Sequence, residues 1–258
     1  MGNLAERYLA DRKPAWRPRY YLEIERHLTK DWKPLAAAAI AAISRPDIVK
    51  LIDDIAADQG RVAADRARSA LSGLYAWAID RSYVGSTPVL HIRPRAESGA
   101  SERTLTAGEL RDVWLATDAV DDKGVRFVND DYARIVKLLI LTGQRRDEIG
   151  RLSRLEIFEN GGSEGARIEL PGERTKNHRP HVVPLSEQAK RALPARRNSS
   201  DFVFGRLGTG FSGWSKAKTE LDEAIAAGRK NRQERRDMTP WRLHDLRRTF
   251  VTMVGELG

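Results

Sequence analysis

The hydrophobic periodicity of this chain changes character across a stretch rich in chain breakers, Gly85 to Ser101. That stretch holds Gly85, Pro88, Pro94 and Gly99, with Arg93 and Arg95 between them. Such a composition joins folded units and does not build one. Ahead of it the apolar stripes have helical spacing. Trp16, Tyr20, Ile24, His27 and Leu28 share one face of a segment ending at Trp32, and Leu35 to Ile43 is Ala-rich and reads as a helix. Ser44 caps a further helix carrying Ile48, Leu51, Ile52 and Ile55 and closed by Gly60. The last, Arg61 to Arg81, carries Val62, Ala70, Leu74, Trp77 and Ala78. Helices with such short connections predict a bundle over 1–95, then a linker over 96–103 and a second domain over 104–258.

The second domain mixes both periods. Thr106-Ala107-Gly108-Glu109 is a capping box that opens a helix carrying Leu110, Val113, Trp114 and Leu115. Tyr132 to Thr142 is an apolar helix broken by Gly143, with a short helix around Glu148, Ile149 and Leu152. Leu155 to Phe158 and Arg167 to Leu170 alternate as strands around the hairpin signal Asn160-Gly161-Gly162. A polar tip, Pro171 to Pro180, leads to a third strand, His181 to Leu185, and Ser186 caps a helix reaching Leu193. Asp201 to Phe204 reads as a short buried strand, and Phe211 to Ala227 as a helix followed by Gly228. Thr239-Pro240 reads as the start of a final helix, with Leu243, Leu246, Phe250 and Val254 as its buried stripe. The expected fold class is mainly α with a small antiparallel β-sheet: a helical bundle followed by an α+β domain.

Charge narrows the partner. Lys plus Arg number 45 against 36 Asp plus Glu, a formal net charge of +9, which favours a polyanion, nucleic acid before anionic membrane. No apolar run is long enough to span a bilayer and no signal peptide is visible, so a cytoplasmic location is expected. The chain has no cysteine, which removes disulfides and thiolate chemistry. Its five histidines lack metal-ligand spacing, so neither metal nor cofactor is expected. Arg61, Arg66 and Arg68 on the fourth helix fit a solvated face or phosphate contacts equally well. The same two readings hold for the basic run from Arg229 to Arg236, and the linker's Arg93 and Arg95 could lie along DNA.

Three short segments carry chemistry. His244 and Arg247 lie three residues apart on a helix, roughly 5–6 Å apart at Cβ. A guanidinium fork beside an imidazole suits one tetrahedral anion. Upstream stand Thr142-Gly143-Gln144-Arg145-Arg146-Asp147-Glu148 and, on the polar tip, Arg174-Thr175-Lys176-Asn177-His178. The Thr-Gly-x-Arg-x-x-Glu pattern, the Thr-Lys-Asn tip leading to Val183-Pro184-Leu185-Ser186, and Leu243-His244-Asp245-Leu246-Arg247-Arg248-Thr249-Phe250 resemble, in order and separation, the tyrosine recombinase (phage integrase) family. The overall look is that of integrases carried by prophages and genomic islands. The resemblance covers about 104–258 directly, and 1–95 is similar in size and helical content to the family's core-DNA-binding domain.

The resemblance implies a phosphodiester substrate whose five-coordinate transition state carries extra negative charge. Preorganised cations stabilise that charge where no metal takes part. By the same resemblance Arg145 and Arg247 each clamp a non-bridging oxygen, His244 donates to the phosphate or relays a proton, and Lys176 protonates the leaving 5′ oxygen. Glu148 orients the basic cluster, Arg146 and Arg248 take lesser structural roles, and Arg174 and His178 lie beside the tip as candidate DNA contacts. The implied partner is double-stranded DNA at an attachment site, on which full-length members associate as dimers and tetramers. The competing reading is a DNA-binding protein without chemistry on the same fold.

One element of the family pattern is missing. Its nucleophile is a tyrosine beyond the third motif, whereas Tyr8, Tyr20, Tyr21, Tyr75, Tyr83 and Tyr132 all precede Arg145. No nucleophile is expected in these residues, and the chain as written is expected to bind DNA without cutting it, as a piece or natural short form of a longer recombinase.

Overall fold

The computed structural model describes residues 1–96, 102–159, 165–195, 201–205, 208–234 and 237–256. The chain divides into two compact units, Met1–Ala100 and Ser101–Gly258. The architecture is mainly α with one small antiparallel sheet.

The first unit is a bundle of α1 (Gly2–Arg12), α2 (Pro18–Arg26), α3 (Arg45–Gln59) and α4 (Arg61–Asp80). Its core takes Tyr8 and Leu9 from α1, Ile48 and Ile52 from α3, and Leu71, Leu74 and Tyr75 from α4. Ser44 caps α3 as its sequence predicts, reciprocally with Asp47, and Gly60 separates α3 from α4 at φ +93°. Other expectations need correction. The stretch Leu35 to Ile43 forms only short 3₁₀ turns, at Lys33–Leu35 and Ile40–Ala42. Its carbonyls serve distant partners: Ala36 accepts from the Gly2 N–H at 2.9 Å, and Ile40 from the buried Tyr75 hydroxyl at 2.9 Å. Tertiary hydrogen bonds override alanine's high intrinsic helix propensity there, which amounts to well under about 1 kcal/mol per residue. The helix expected up to Trp32 starts at Pro18 and passes into a π-turn at His27–Asp31, after which Trp32 is fully buried and donates to the Ala67 carbonyl at 2.9 Å. The helix α1 is not among the expected elements, although Ala5, Tyr8 and Leu9 have the spacing of one buried face. Val62, expected inside, is exposed.

In the second unit α5 (Ala107–Ala116) opens on the Thr106–Glu109 capping box, both arms of which form. Then come α6 (Asp130–Thr142), α7 (Arg146–Gly150), the strands β1 (Ile157–Phe158), β2 (Arg167–Leu170) and β3 (His181–Pro184), α8 (Glu187–Ala192), α9 (Trp214–Asn231) and α10 (Leu243–Gly255). The sheet order is β1-β2-β3, antiparallel throughout, with Ile157 opposite Ile168 and Ile168 opposite Val183. The apolar helix α6 runs through the core, burying Tyr132, Ile135, Val136, Leu138 and Leu139 against Leu221 of α9, Leu246 of α10 and Ile168 of the sheet. The hairpin signal at Asn160-Gly161-Gly162 lies outside the described residues, as do 97–101 of the linker and the end of the basic run; the part of the expected linker from Gly85 to Ala96 instead packs on the first unit, where Val89 and Ile92 are buried.

Three expectations shift here. Asp201 to Phe204 makes a single bridge, Ser153 to Phe202, and no strand. The helix α9 runs through Gly228 to Asn231, and Arg229 and Arg232 at its end both pair with the buried Asp112 of α5. The helix α10 starts at Leu243 and not at Pro240: Asp245 accepts from the Arg242 N–H at 2.8 Å and so caps it. Leu246 of its stripe is buried, Leu243 and Phe250 are half-buried, and Val254 is exposed.

Candidate active site

The site forms where the end of α6 meets α10. Gly143 closes α6 in the left-handed region, at φ +61°. A Cβ on it would lie 2.2 Å from the Phe250 ring of α10. Glycine is therefore required there twice, for its backbone and for the close approach. Across that contact the Arg247 guanidinium donates from Nη1 to the Gly143 carbonyl at 2.7 Å. The Thr-Gly turn thus anchors an arginine that lies 104 residues further along the chain.

Arg145 sits just past the turn as the N-cap of α7. Glu148, buried three residues on, accepts from the Arg145 N–H through Oε2 at 2.8 Å and from Nη1 through Oε1 at 2.8 Å. One carboxylate thus fixes both the main chain and the side chain of Arg145. The Arg145 side chain remains 37% exposed while that of Glu148 is 5% exposed, so the guanidinium faces outward from a buried support.

The electrostatics join these residues. Burial and the neighbouring Arg145 guanidinium push the Arg247 pKa down, with Glu148 opposing. The His244 pKa is also lowered, by burial first, then by Arg248, Arg247 and Arg145, with Asp245 opposing. Arg145, His244 and Arg247 thus feel one another's field.

Lys176 stands apart. It is exposed on the tip after β2, and among the described residues no contact joins it to the other three. Its neighbour Thr175 is buried, with the hydroxyl 3.0 Å from the Gly172 carbonyl and 2.8 Å from that of Arg179, and this closes the tip. Arg174, expected at the DNA, turns inward: it donates from Nη2 to the Glu148 carbonyl at 2.8 Å and from Nη1 to the Arg151 carbonyl.

Sequence reasoning misses Asp245. It is buried, and besides capping α10 it accepts from Arg248 Nη1 at 2.9 Å. Its signal is an acid at the third position of a helix, hidden when the helix start is placed at Pro240. Through its carbonyl it also accepts from Thr249, whose hydroxyl in turn accepts from the Leu105 N–H at 2.8 Å.

The chain and its fold are similar to known proteins. Residues 1–95 match the family model described as the phage integrase central domain. The chain is 29% identical over 210 residues to the prophage integrase IntZ of Escherichia coli strain K12, covering 78% of this chain and 48% of that protein. Its fold is similar to a lambda integrase tetramer bound to a Holliday junction, with TM-score 0.67 at 16% identity over 98% of this chain and 72% of that one. It is likewise similar to the Tn1549 transposon integrase in complex with circular intermediate DNA, with TM-score 0.67 at 14% identity over 99% of this chain and 87% of that one. These matches support the tyrosine recombinase (phage integrase) family for this chain. The chain spans about half the length of the curated relative it matches.

The only tyrosine in the sequence of Ser101–Gly258 is Tyr132. It is fully buried, and burial pushes its pKa up, so it cannot reach a phosphate. The other candidate DNA contacts differ among themselves. Arg61 and Arg93 are exposed and Arg68 is half-buried. Arg66 lies 3.4 Å from Glu23 in an exposed pair. Arg95 is committed within its unit: its N–H donates to Asp65 at 2.7 Å and its Nε to Asp53 at 2.6 Å. His178 is exposed, with φ +55°. No helix among the described residues is long and apolar enough to cross a membrane.

Proposed function

We propose that this integrase binds double-stranded DNA and grips the phosphate at which its parent recombinase cuts and rejoins strands. The observation that carries the reading is the hydrogen bond from Arg247 to the Gly143 carbonyl, which brings His244 and Arg247 of α10 to the turn that delivers Arg145, close enough for the Arg145 guanidinium to lower the pKa of both. Arg145 and Arg247 each hold a non-bridging oxygen, and Glu148 keeps Arg145 aimed. His244, its proton affinity lowered, offers a neutral ring at pH 7 that donates to the phosphate or passes a proton. Lys176 delivers a proton to the leaving 5′ oxygen; an ammonium on a four-carbon stem suits that task.

In the family reaction a tyrosine oxygen attacks phosphorus, the bond to the 5′ oxygen breaks, and a 3′-phosphotyrosine link stores the bond energy until the next strand's 5′ hydroxyl reverses the exchange. With Tyr132 buried, residues 1–258 bind DNA and make no covalent link by themselves. Residues 1–95 form the core-DNA-binding domain and 104–258 the catalytic domain. The DNA attachment site brings copies together as dimers and tetramers, in the cytoplasm where the chromosome lies.

The test uses a version of the chain that also carries a family C-terminal tyrosine, incubated with a nicked duplex that traps the covalent adduct. Arg145→Ala and Arg247→Ala should each slow adduct formation by roughly 10²- to 10³-fold, the cost of removing one preorganised charge donor. Adduct formation at the unsubstituted rate in both variants would remove the catalytic assignment and leave a DNA-binding protein on this fold.

A further inference from the structure

We propose that Arg174 is a positioning residue that bolts the Lys176 tip to the helix carrying Arg145; this rests on the phosphate reading of the site. Three contacts fix the Arg174 guanidinium. It donates to the carbonyls of Glu148 and Arg151, and its Nε lies 2.9 Å from the mostly buried Glu156 carboxylate. The first contact joins the two halves of the site. Glu148 holds Arg145 with its carboxylate and Arg174 with its carbonyl, so one residue of α7 sets the place of both.

The tip passes that position on to Lys176. Only Thr175 separates Arg174 from Lys176, and Thr175 is buried and tied back to Gly172 and Arg179. The turn is tight enough that a Cβ on Gly172 would lie 2.7 Å from the His178 carbonyl oxygen. The base of the tip is therefore fixed to α7, and the freedom left to Lys176 is that of its own flexible stem. A proton donor misplaced by ~1 Å can cost about 100-fold in rate, so anchoring the base of the tip bears on the chemistry. An arginine serving mainly as a DNA contact would keep its fork in solvent. The side chain of Arg174 is 23% exposed and its fork is turned to internal acceptors.

Two measurements on the full chain test this. In DNA-free protein, Arg174→Gln should raise amide exchange across Thr175 to Arg179 by about tenfold while exchange in α6 stays unchanged. Separately, Lys176 acetylation is followed with and without a saturating mixed-sequence duplex at low salt. The duplex should slow acetylation by about tenfold in the unsubstituted chain and by less than about twofold in Arg174→Gln, with other DNA-protected lysines unaltered. Arg174→Lys, which keeps the charge beside Glu156 but lacks the fork, should restore part of the protection. If Arg174→Gln does not fold, Glu156→Gln is read instead, and it should loosen the tip in the same direction. An unchanged tip exchange, or full protection of Lys176 in the variant, overturns the proposal. No protection of Lys176 in the unsubstituted chain would instead sink the phosphate reading of that lysine, and the exchange measurement, which needs no DNA, still decides the anchor.

Discussion

At the end of α9, Arg229 and Arg232 reach across to Asp112 of α5. At the start of α10, Arg247 reaches a backbone carbonyl. Asp112 is almost fully buried and meets three guanidinium groups, those of Arg111 at 3.0 Å, Arg232 at 2.7 Å and Arg229. Glu234 closes the same network, 2.8 Å from Arg229 and 3.2 Å from Arg232. The basic run that reads in sequence as either solvated or DNA-bound is, in its first half, neither: it pins α9 to α5. In the α10 cluster the carboxylates serve other ends. Glu148 bonds Arg145, and Asp245 caps the helix and takes Arg248, while burial first and then the neighbouring guanidinium groups lower the pKa values of Arg247 and His244. In one cluster three guanidinium groups share a buried carboxylate; in the other Arg145 and Arg248 each have a carboxylate, and Arg247 meets only a backbone carbonyl among the described contacts. The sequence spells both clusters with the same letters.

Breaking the cluster around Asp112 should give the largest effect. Asp112→Asn leaves guanidinium groups facing one another around a buried amide and should lower unfolding free energy by about 3 kcal/mol, seen as a drop in denaturation midpoint. A loss no larger than that of an ordinary surface substitution would erase the distinction. The next effect separates the clusters by their partner. Arg247→Gln should flatten the salt dependence of duplex binding by about 0.9 in log–log slope for the phosphate it no longer meets, whereas Arg229→Gln should leave that slope alone. Equal slopes in the two variants would mean that both clusters face DNA, or neither does.

The smallest effect is in proton binding. The folded pKa of His244 lies below its usual 6.5, so in the window between the two values the unfolded chain binds more protons than the folded one. The stability carried by the neutral ring is therefore complete above 6.5 and is lost as pH falls toward the folded value. An NMR titration should place the ring below 6.5, and added duplex should raise it, because a phosphate favours the charged form. A ring titrating at or above its usual value without DNA would mean that the neighbouring arginines do not press on it.

Much of this molecule is legible from local pattern. The Ser44 and Thr106 caps and the α6 stripe stopped by Gly143 each depend on residues a few positions apart, the strands Arg167–Leu170 and His181–Pro184 on neighbours within one hairpin, and the motifs around Arg145, Lys176 and His244 have fixed spacing. Local pattern fails where distant partners intervene. The Ala-rich stretch gives its carbonyls to Gly2 and Tyr75, α9 runs through Gly228 toward Asp112, and α10 waits for Asp245.

The sequence by itself determined the fold class, the family pattern and which cations are candidates, because helical period, caps and motif spacing are local and survive without a partner. Only the tertiary structure decided which partner each cation meets. Whether an arginine is spent or available depends on the carboxylate or carbonyl that reaches it through space, and for Arg174, Arg229 and Arg247 those partners lie 26, 117 and 104 residues away along the chain.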